Sequence, residues 1–325
     1  MSTLGHLGFW KDYWITMRPY LLFVSGVAGM VGFVSGVERG MATACGAFLV
    51  FFLSYGFGQA LTDCFQMDTD AISSPYRPLI QGTISRKNVM AVSLIGLLGG
   101  CLILFLLNPL TLILGILCVG GLATYTYFKR RWWGGPFYNA WIVAFLPLMG
   151  RMATQRKATL DWIFSDSSII VPVMLSVFFS YANFVLMGYF KDISADRASG
   201  YNTFVVRFGW MRASVASHVL AGLSIVFSAW AIREALIKSS HTSSSWISLA
   251  VFSGAVATLF LAQRGIHSTR GEKESYRPIT CVVRAFILLH LAEILAIRAG
   301  WIIYGVPFYI GFEIVLKKRP VKSQV

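Results

Sequence analysis

Charge is scarce in this chain: Asp, Glu, Lys and Arg make up 13% of its 325 residues, against about 25% in an average soluble domain. With 56% hydrophobic residues and a mean hydropathy of +0.65, that scarcity excludes a water-soluble globular protein. Acidic residues are the rarer sign, 14 against 28 basic ones, so any cluster of them calls for a chemical reason. Cysteine is sparse too. Cys45, Cys64, Cys101, Cys118 and Cys281 form no Cys-x-x-Cys pair, which supports neither a disulfide framework nor a zinc site. Long polar stretches are missing, so residues 1–325 are read as a single domain. A cleavable signal is not evident either: the first eighteen residues carry Lys11, Asp12 and Arg18 and lack an apolar core of about 7–15 residues.

What the chain has is apolar runs of membrane-crossing length, about 17 to 25 residues. They fall at residues 20–37, 41–62, 88–108, 110–128, 136–150, 168–190, 213–232, 246–262 and 285–309, the last containing Glu293 and Arg298, which can break it into two shorter segments. The pattern predicts an all-α, multi-pass transmembrane bundle of about nine helices around a central cavity, in contact with the lipid bilayer. A net charge of +14 is compatible with nucleic acid, but the basic residues are scattered among short loops, so no nucleic-acid partner is expected. Placing the amino terminus in the cytoplasm puts the most basic loops there, with Arg86, Lys87, Lys129, Arg130, Arg131, Arg197 and Arg270, as the positive-inside rule requires. Nine crossings would leave the tail, Lys317, Lys318, Arg319 and Lys322, on the opposite side. Ser239 to Ser245 reads as a polar connecting turn.

Two acidic segments end apolar runs: Thr62-Asp-Cys-Phe-Gln-Met-Asp-Thr-Asp70 after the second and Lys191-Asp-Ile-Ser-Ala-Asp-Arg197 after the sixth. On a helix Asp63, Gln66 and Asp70 share a face, and Asp192 stands one turn from Asp196. Converging carboxylates in a low-dielectric setting require cations, and all-oxygen donors suit Mg²⁺, which keeps waters and bridges to substrate phosphates. Pro75 and Pro78 stop the helix and hold Arg77 near the carboxylates, where its planar fork serves as ion-pair partner or phosphate ligand. Lys191 adds a cation beside the second segment. The plain alternative is that these charges cap helices at the interface.

These segments resemble the motifs of the UbiA superfamily of intramembrane prenyltransferases. The family's first motif, Asn-Asp-x-x-Asp-x-x-x-Asp followed by Pro-Tyr-Arg-Pro, is matched by Asp63, Asp70 and Pro75-Tyr76-Arg77-Pro78; its second, Asp-x-x-x-Asp, by Asp192 and Asp196. A third signature, Tyr-x-x-x-Lys, falls on Tyr125 and Lys129, and the resemblance spans roughly residues 15–310. Thr62 and Gln66 depart from it, each replacing a typical Asn or Asp. Asp68 could compensate in part, although an ideal helix turns it about 160° from Asp70, and Gln59, one turn before Asp63, could supply a neutral oxygen.

The resemblance implies Mg²⁺ held by Asp63, Asp70, Asp192 and Asp196, an isoprenyl diphosphate substrate met by Arg77, Lys129 and Lys191, and transfer to an acceptor, most often aromatic, at a site facing the cytoplasm. Two other readings stay open: a terpene cyclase of the same superfamily, in which the cation is trapped by its own chain, and a cation-coupled transporter using the carboxylates as an ion site. The aromatics Phe51, Phe52, Tyr55, Phe57, Phe178, Phe179, Tyr181, Phe184 and Tyr189 gather near the expected cavity, where ring faces can stabilise a cation or simply pack. Asn139, at the start of the fifth run, is either a cap or a site residue. His6, His218, His241, His267 and His290 show no ligand spacing, and the glycine pairs carry no Gly-Lys-Ser/Thr.

Overall fold

The computed structural model describes residues 4–155, 159, 168–238 and 242–319, and every regular element among them is helical. The chain enters as α1 (Leu7–Met17), which ends where Pro19 disfavours helical geometry at Arg18. Arg18 takes left-handed angles (φ 54°, ψ 72°), the one non-glycine residue among those described with positive φ, and a short 3₁₀ turn, Pro19–Leu21, bends the chain by 49° into α2 (Leu22–Val34). α2 is buried along its whole length. It is apolar all round because α3 (Met41–Asp63), α8 (Gly135–Thr154) and α13 (Tyr276–Ile297) pack against it.

Beyond α3, two short helices, α4 (Met67–Ser73) and α5 (Pro78–Gln81), lie across the end of the bundle. α6 (Arg86–Leu107) starts at Ser85, whose hydroxyl accepts the Asn88 N–H at 3.2 Å, an N-cap of the usual kind. A turn fastened by the Asn108 side chain to the Leu110 N–H at 3.0 Å leads into α7 (Thr111–Lys129). Ile95, Leu98, Leu102, Leu106, Ile113 and Ile116 point outward from this hairpin, as a lipid-facing surface demands. After α8 come α9 (Ile170–Gly188), the short α10 (Ile193–Ala198), α11 (Phe204–Lys238), α12 (Thr242–Ser268), α13 and α14 (Ile302–Lys317). Gly209, with φ 79°, kinks α11 near its start.

Among the described residues eight helices are long and apolar enough to cross a membrane, and the bent pair α1–α2 makes a ninth. α8, with Arg151 in its last turn, is not among these; its start meets Tyr189 and its end meets Val37. The expected ninth run, 285–309, is two helices. Arg298 leaves helical geometry (φ −146°, ψ 94°) and donates to the Gly36 carbonyl at 3.0 Å, turning the chain back into α14. That corrects the placement of the tail: Phe308 lies against Gly26 and Phe312 against Phe23, so α14 runs back along α2 and brings Lys317, Lys318 and Arg319 to the end of the bundle that holds Arg18. Lys322 lies outside the described residues. The serine-rich connector is also shorter than expected, because residues 242–245 are helical; 239–241 lie outside the described residues.

α2 and α8 cross with almost no space between their backbones. A Cβ added to Gly150 would fall on the Gly29 carbonyl oxygen and 2.8 Å from the Phe33 nitrogen; one added to Gly32 would fall on Pro147. Small residues are the means by which membrane helices approach this closely. Gly150→Ala should therefore lower the unfolding midpoint in detergent, by an overpacking cost of about 1–3 kcal/mol, whereas Gly222→Ala, facing open space, should leave it unchanged or slightly raised. Equal midpoints for the two variants would contradict the close crossing.

Candidate active site

α3 ends on Asp63, and the turn after it closes with the Gln66 N–H on the Asp63 carbonyl at 3.2 Å, so α4 starts at once and sets Asp70 beside Asp63. Arg77 precedes Pro78, the first residue of α5, in extended geometry that points it back at both carboxylates. Its guanidinium is paired with Asp70 and lies 3.6 Å from Asp63. Asp63 is gripped on its other side by Arg18, at 2.9 and 3.1 Å to its two oxygens. All four side chains are buried. Burial raises the Asp70 carboxyl above the ordinary range while the Arg77 guanidinium pulls against it.

The second segment arrives through α9 and a 3₁₀ turn, Tyr189–Lys191, which hands over to α10 at Asp192. Lys129, at the end of α7, joins the two segments: its ammonium donates to Gln66 Oε1 at 2.9 Å and stands 3.7 Å from Asp196 Oδ1. Burial pushes the Asp196 carboxyl up to about 6, with Lys129 opposing the shift; the Thr203 hydroxyl donates to Oδ2 at 3.2 Å. One turn before Lys129, the Tyr125 hydroxyl pairs with that of Tyr189 at 3.0 Å and with Asn139 on α8.

These groups stand at one end of a cavity of about 440 Å³. Arg18, Arg77, Lys129 and Lys191 line it with Asp63, Asp70 and Asp192, so four cations face three carboxylates. The volume lies within the range of about 300–1,000 Å³ common for small-molecule sites. Away from the charged end the wall is apolar, formed by Phe51, Tyr55, Phe57, Tyr181 and Phe184 and by the glycines of α6. It reaches Leu49, Ile95 and Ile103, which are exposed on the lipid-facing side. Phe52, Phe178 and Phe179 instead pack on Phe23, Phe137 and Phe227.

The placement of the expected site residues is uneven. Asp63, Asp70, Arg77, Gln59, Gln66, Tyr125, Lys129, Lys191 and Asp192 line the cavity, and so does Asn139, which is not a cap. Asp196 stands one side chain back, behind Lys129. Asp68 turns outward, half exposed, as helix geometry required. It accepts from Arg130 at 3.1 Å and from the Tyr201 hydroxyl at 3.0 Å, tying α4 to the end of α7 and to the turn after α10. Gln59 donates its amide nitrogen to Asp63 at 2.7 Å. Arg18 is the residue that sequence reasoning missed. Its signal was an Arg-Pro pair just before a fully apolar run, where a charge needs a buried partner.

The donors at this end are all oxygens, without a thiol or imidazole. Among the described residues no three His, Cys, Asp or Glu side chains converge tightly enough to cage a metal alone. Asp196 Oδ1 is buried without a hydrogen-bond partner, and Asp192 makes no cap bond. Such a set fits a hard cation that retains waters and shares its shell with a bound anion. His290, by contrast, is a packing histidine, bonded to Glu293 at 2.9 Å and Ser180 at 3.2 Å.

Known proteins resemble this chain in sequence and in fold. A digeranylgeranylglyceryl phosphate synthase from Hyperthermus butylicus is 23% identical over 296 residues, covering 87% of this chain and 94% of the relative. One of the same name from Halobacterium salinarum is 28% identical over 204 residues, 62% of this chain and 71% of its own. The fold matches a UbiA homolog from Aeropyrum pernix with a TM-score of 0.67 at 17% identity, over 83% of this chain and 95% of that one. A UbiA homolog from Archaeoglobus fulgidus bound to DMAPP and Mg²⁺ matches at 0.63 and 16% identity, over 87% and 99%. The profile of the UbiA prenyltransferase family matches residues 21–290, a range that contains both aspartate segments, and on that match the chain belongs to the UbiA prenyltransferase family.

Proposed function

We propose that this protein ionises an allylic isoprenyl diphosphate with the help of Mg²⁺ and transfers the prenyl group to an acceptor. The observation that carries the reading is four cations and three carboxylates at one end of a cavity whose other walls are apolar. Such a cavity matches a molecule with a polyanionic head and a hydrocarbon tail. A UbiA homolog of the same fold from Archaeoglobus fulgidus was solved bound to DMAPP and Mg²⁺, which supports the assignment.

In the reaction the bond between the allylic carbon and the diphosphate oxygen breaks, and the electron pair leaves with the diphosphate. Arg18, Arg77, Lys129 and Lys191 are placed to meet the charge that gathers on those oxygens, so their contacts strengthen toward the transition state. Mg²⁺, held by Asp63, Asp70 and Asp192 with Asp196 behind them, would neutralise diphosphate oxygens and improve the leaving group. Tyr55, Phe57, Tyr181 and Phe184 line the cavity wall, where aromatic rings would stabilise an allylic cation and the apolar surroundings would keep water from it. An acceptor nucleophile then bonds to the allylic carbon and gives up its proton. An aromatic acceptor and the glyceryl phosphate lipid in the relatives' name are the two candidates. The basic loops and the tail at the site's end support a cytoplasmic orientation.

With Mg²⁺ present, incubation with geranyl, farnesyl and geranylgeranyl diphosphates should yield an acceptor heavier by one prenyl group, measured by mass spectrometry with phenols and with isoprenylglyceryl phosphates in separate arms. A volatile hydrocarbon formed without acceptor would replace transfer with cyclisation. Asp192→Ala should slow turnover by about 10²-fold or more, the scale on which a lost transition-state contact is felt. An undiminished rate in that variant with chelator in excess would end the Mg²⁺ reading.

Gln66→Asp probes the altered motif. A carboxylate there would hold Lys129 as an ion pair and place negative charge next to the allylic cation, so turnover should fall about tenfold or the product should shift by early deprotonation. An unchanged product formed at a lower Mg²⁺ requirement would show that position 66 acts only as a metal ligand.

A further inference from the structure

We propose that Glu272 is a positioning residue that keeps the Asp192 carboxylate in the cavity by capping α10 in its place; this rests on the function proposed above. Asp192 is the N-cap residue of α10, and an aspartate there ordinarily folds its carboxylate back onto the N–H of the second or third helical residue. Here it does not: no side-chain cap bond forms, and Asp192 lines the cavity. The open N–H at the second position, that of Ser194, donates instead to Glu272 Oε1 at 3.0 Å, and the Ser194 hydroxyl donates to Oε2 at 2.5 Å.

Glu272 comes from a distant part of the chain, the loop between α12 and α13. It opens a short 3₁₀ turn, Glu272–Glu274, whose carbonyl end is fastened by the Ser275 hydroxyl to the Glu272 oxygen at 2.6 Å. Both of its carboxylate oxygens are therefore committed to the one residue that lies midway between Asp192 and Asp196. With Glu272 in place, α10 makes no demand on Asp192. Without it, the exposed Ser194 N–H is left to water and to the carboxylate of Asp192, the N-cap residue two positions before it, and so competes with the cavity for that carboxylate.

The test uses the full chain in detergent, with thermal unfolding followed as Mg²⁺ is titrated in the presence of inorganic diphosphate. Glu272→Ala should need about tenfold or more Mg²⁺ for half of the stabilising shift, the scale reported for lost outer-sphere partners of metal ligands. Its midpoint without Mg²⁺ should stay near that of the unaltered protein. Glu272→Gln should restore the Mg²⁺ requirement, because its amide oxygen still accepts the Ser194 N–H and its nitrogen can donate to the hydroxyl. A Glu272→Ala protein that is less stable throughout but has an unaltered Mg²⁺ requirement would reduce Glu272 to a loop tether and overturn the proposal. So would Glu272→Gln behaving like Glu272→Ala, which would assign the effect to charge. Absence of any Mg²⁺-diphosphate shift in the unaltered protein would remove the proposed function itself, and the positioning role with it.

Discussion

The chain Arg18–Asp63–Arg77–Asp70 is the constraint around which the rest is arranged. Four charges are taken out of water together, and each is tolerable only because its neighbours are present. Removing one member of such a buried set typically costs about 3–5 kcal/mol, since the partner is left uncompensated in a medium that cannot solvate it. Local geometry follows from that demand. Arg18 adopts backbone angles that a side chain ordinarily avoids, and the helix after Asp63 breaks for one turn before resuming. Strain of this kind persists where surrounding contacts over-determine it.

Rigidity and openness are divided between two sides of the cavity. On one side α2 and α8 meet through Gly29, Gly32 and Gly150 with no room for a methyl group. On the other, α6 and α7 contribute glycines and aliphatic side chains that look outward as much as inward. The charged end is closed by short helices and loops, and Asp68, Arg130 and Tyr201 fasten these to one another from outside, with the Arg130 guanidinium 4.7 Å above the Tyr201 ring. The polar groups that do not touch the cavity thus hold in place those that do.

Much of this was legible from residue order. Apolar runs long enough to span a bilayer admit few backbone solutions, so the helical class followed from composition. Two acidic segments at run ends, in a chain poor in acids, marked the candidate site, and the structure joins them through Lys129. What was illegible depends on partners distant in sequence. Arg18 gains meaning only when the bend at Pro19 carries it to Asp63, 45 residues away. The division of the last apolar run was announced by Glu293 and Arg298, but the partner that fixes it, the Gly36 carbonyl accepting from Arg298, lies 262 residues away and was not legible. Asp68 was separable from its neighbours by helix angle alone, but its contacts with Arg130 and Tyr201 were not.

The exposed flank of the cavity at Leu49, Ile95 and Ile103 bears on how long a hydrocarbon the protein can accommodate. A pocket sealed at its base measures its guest, because every added isoprene unit must fit or clash. On the function proposed above, a pocket open at this flank would take no such measurement: the first units would be held beside the charges, and later ones would run out among the acyl chains of the bilayer. Discrimination between substrates would then fall on the head group and the first few carbons, with the membrane itself completing the binding site.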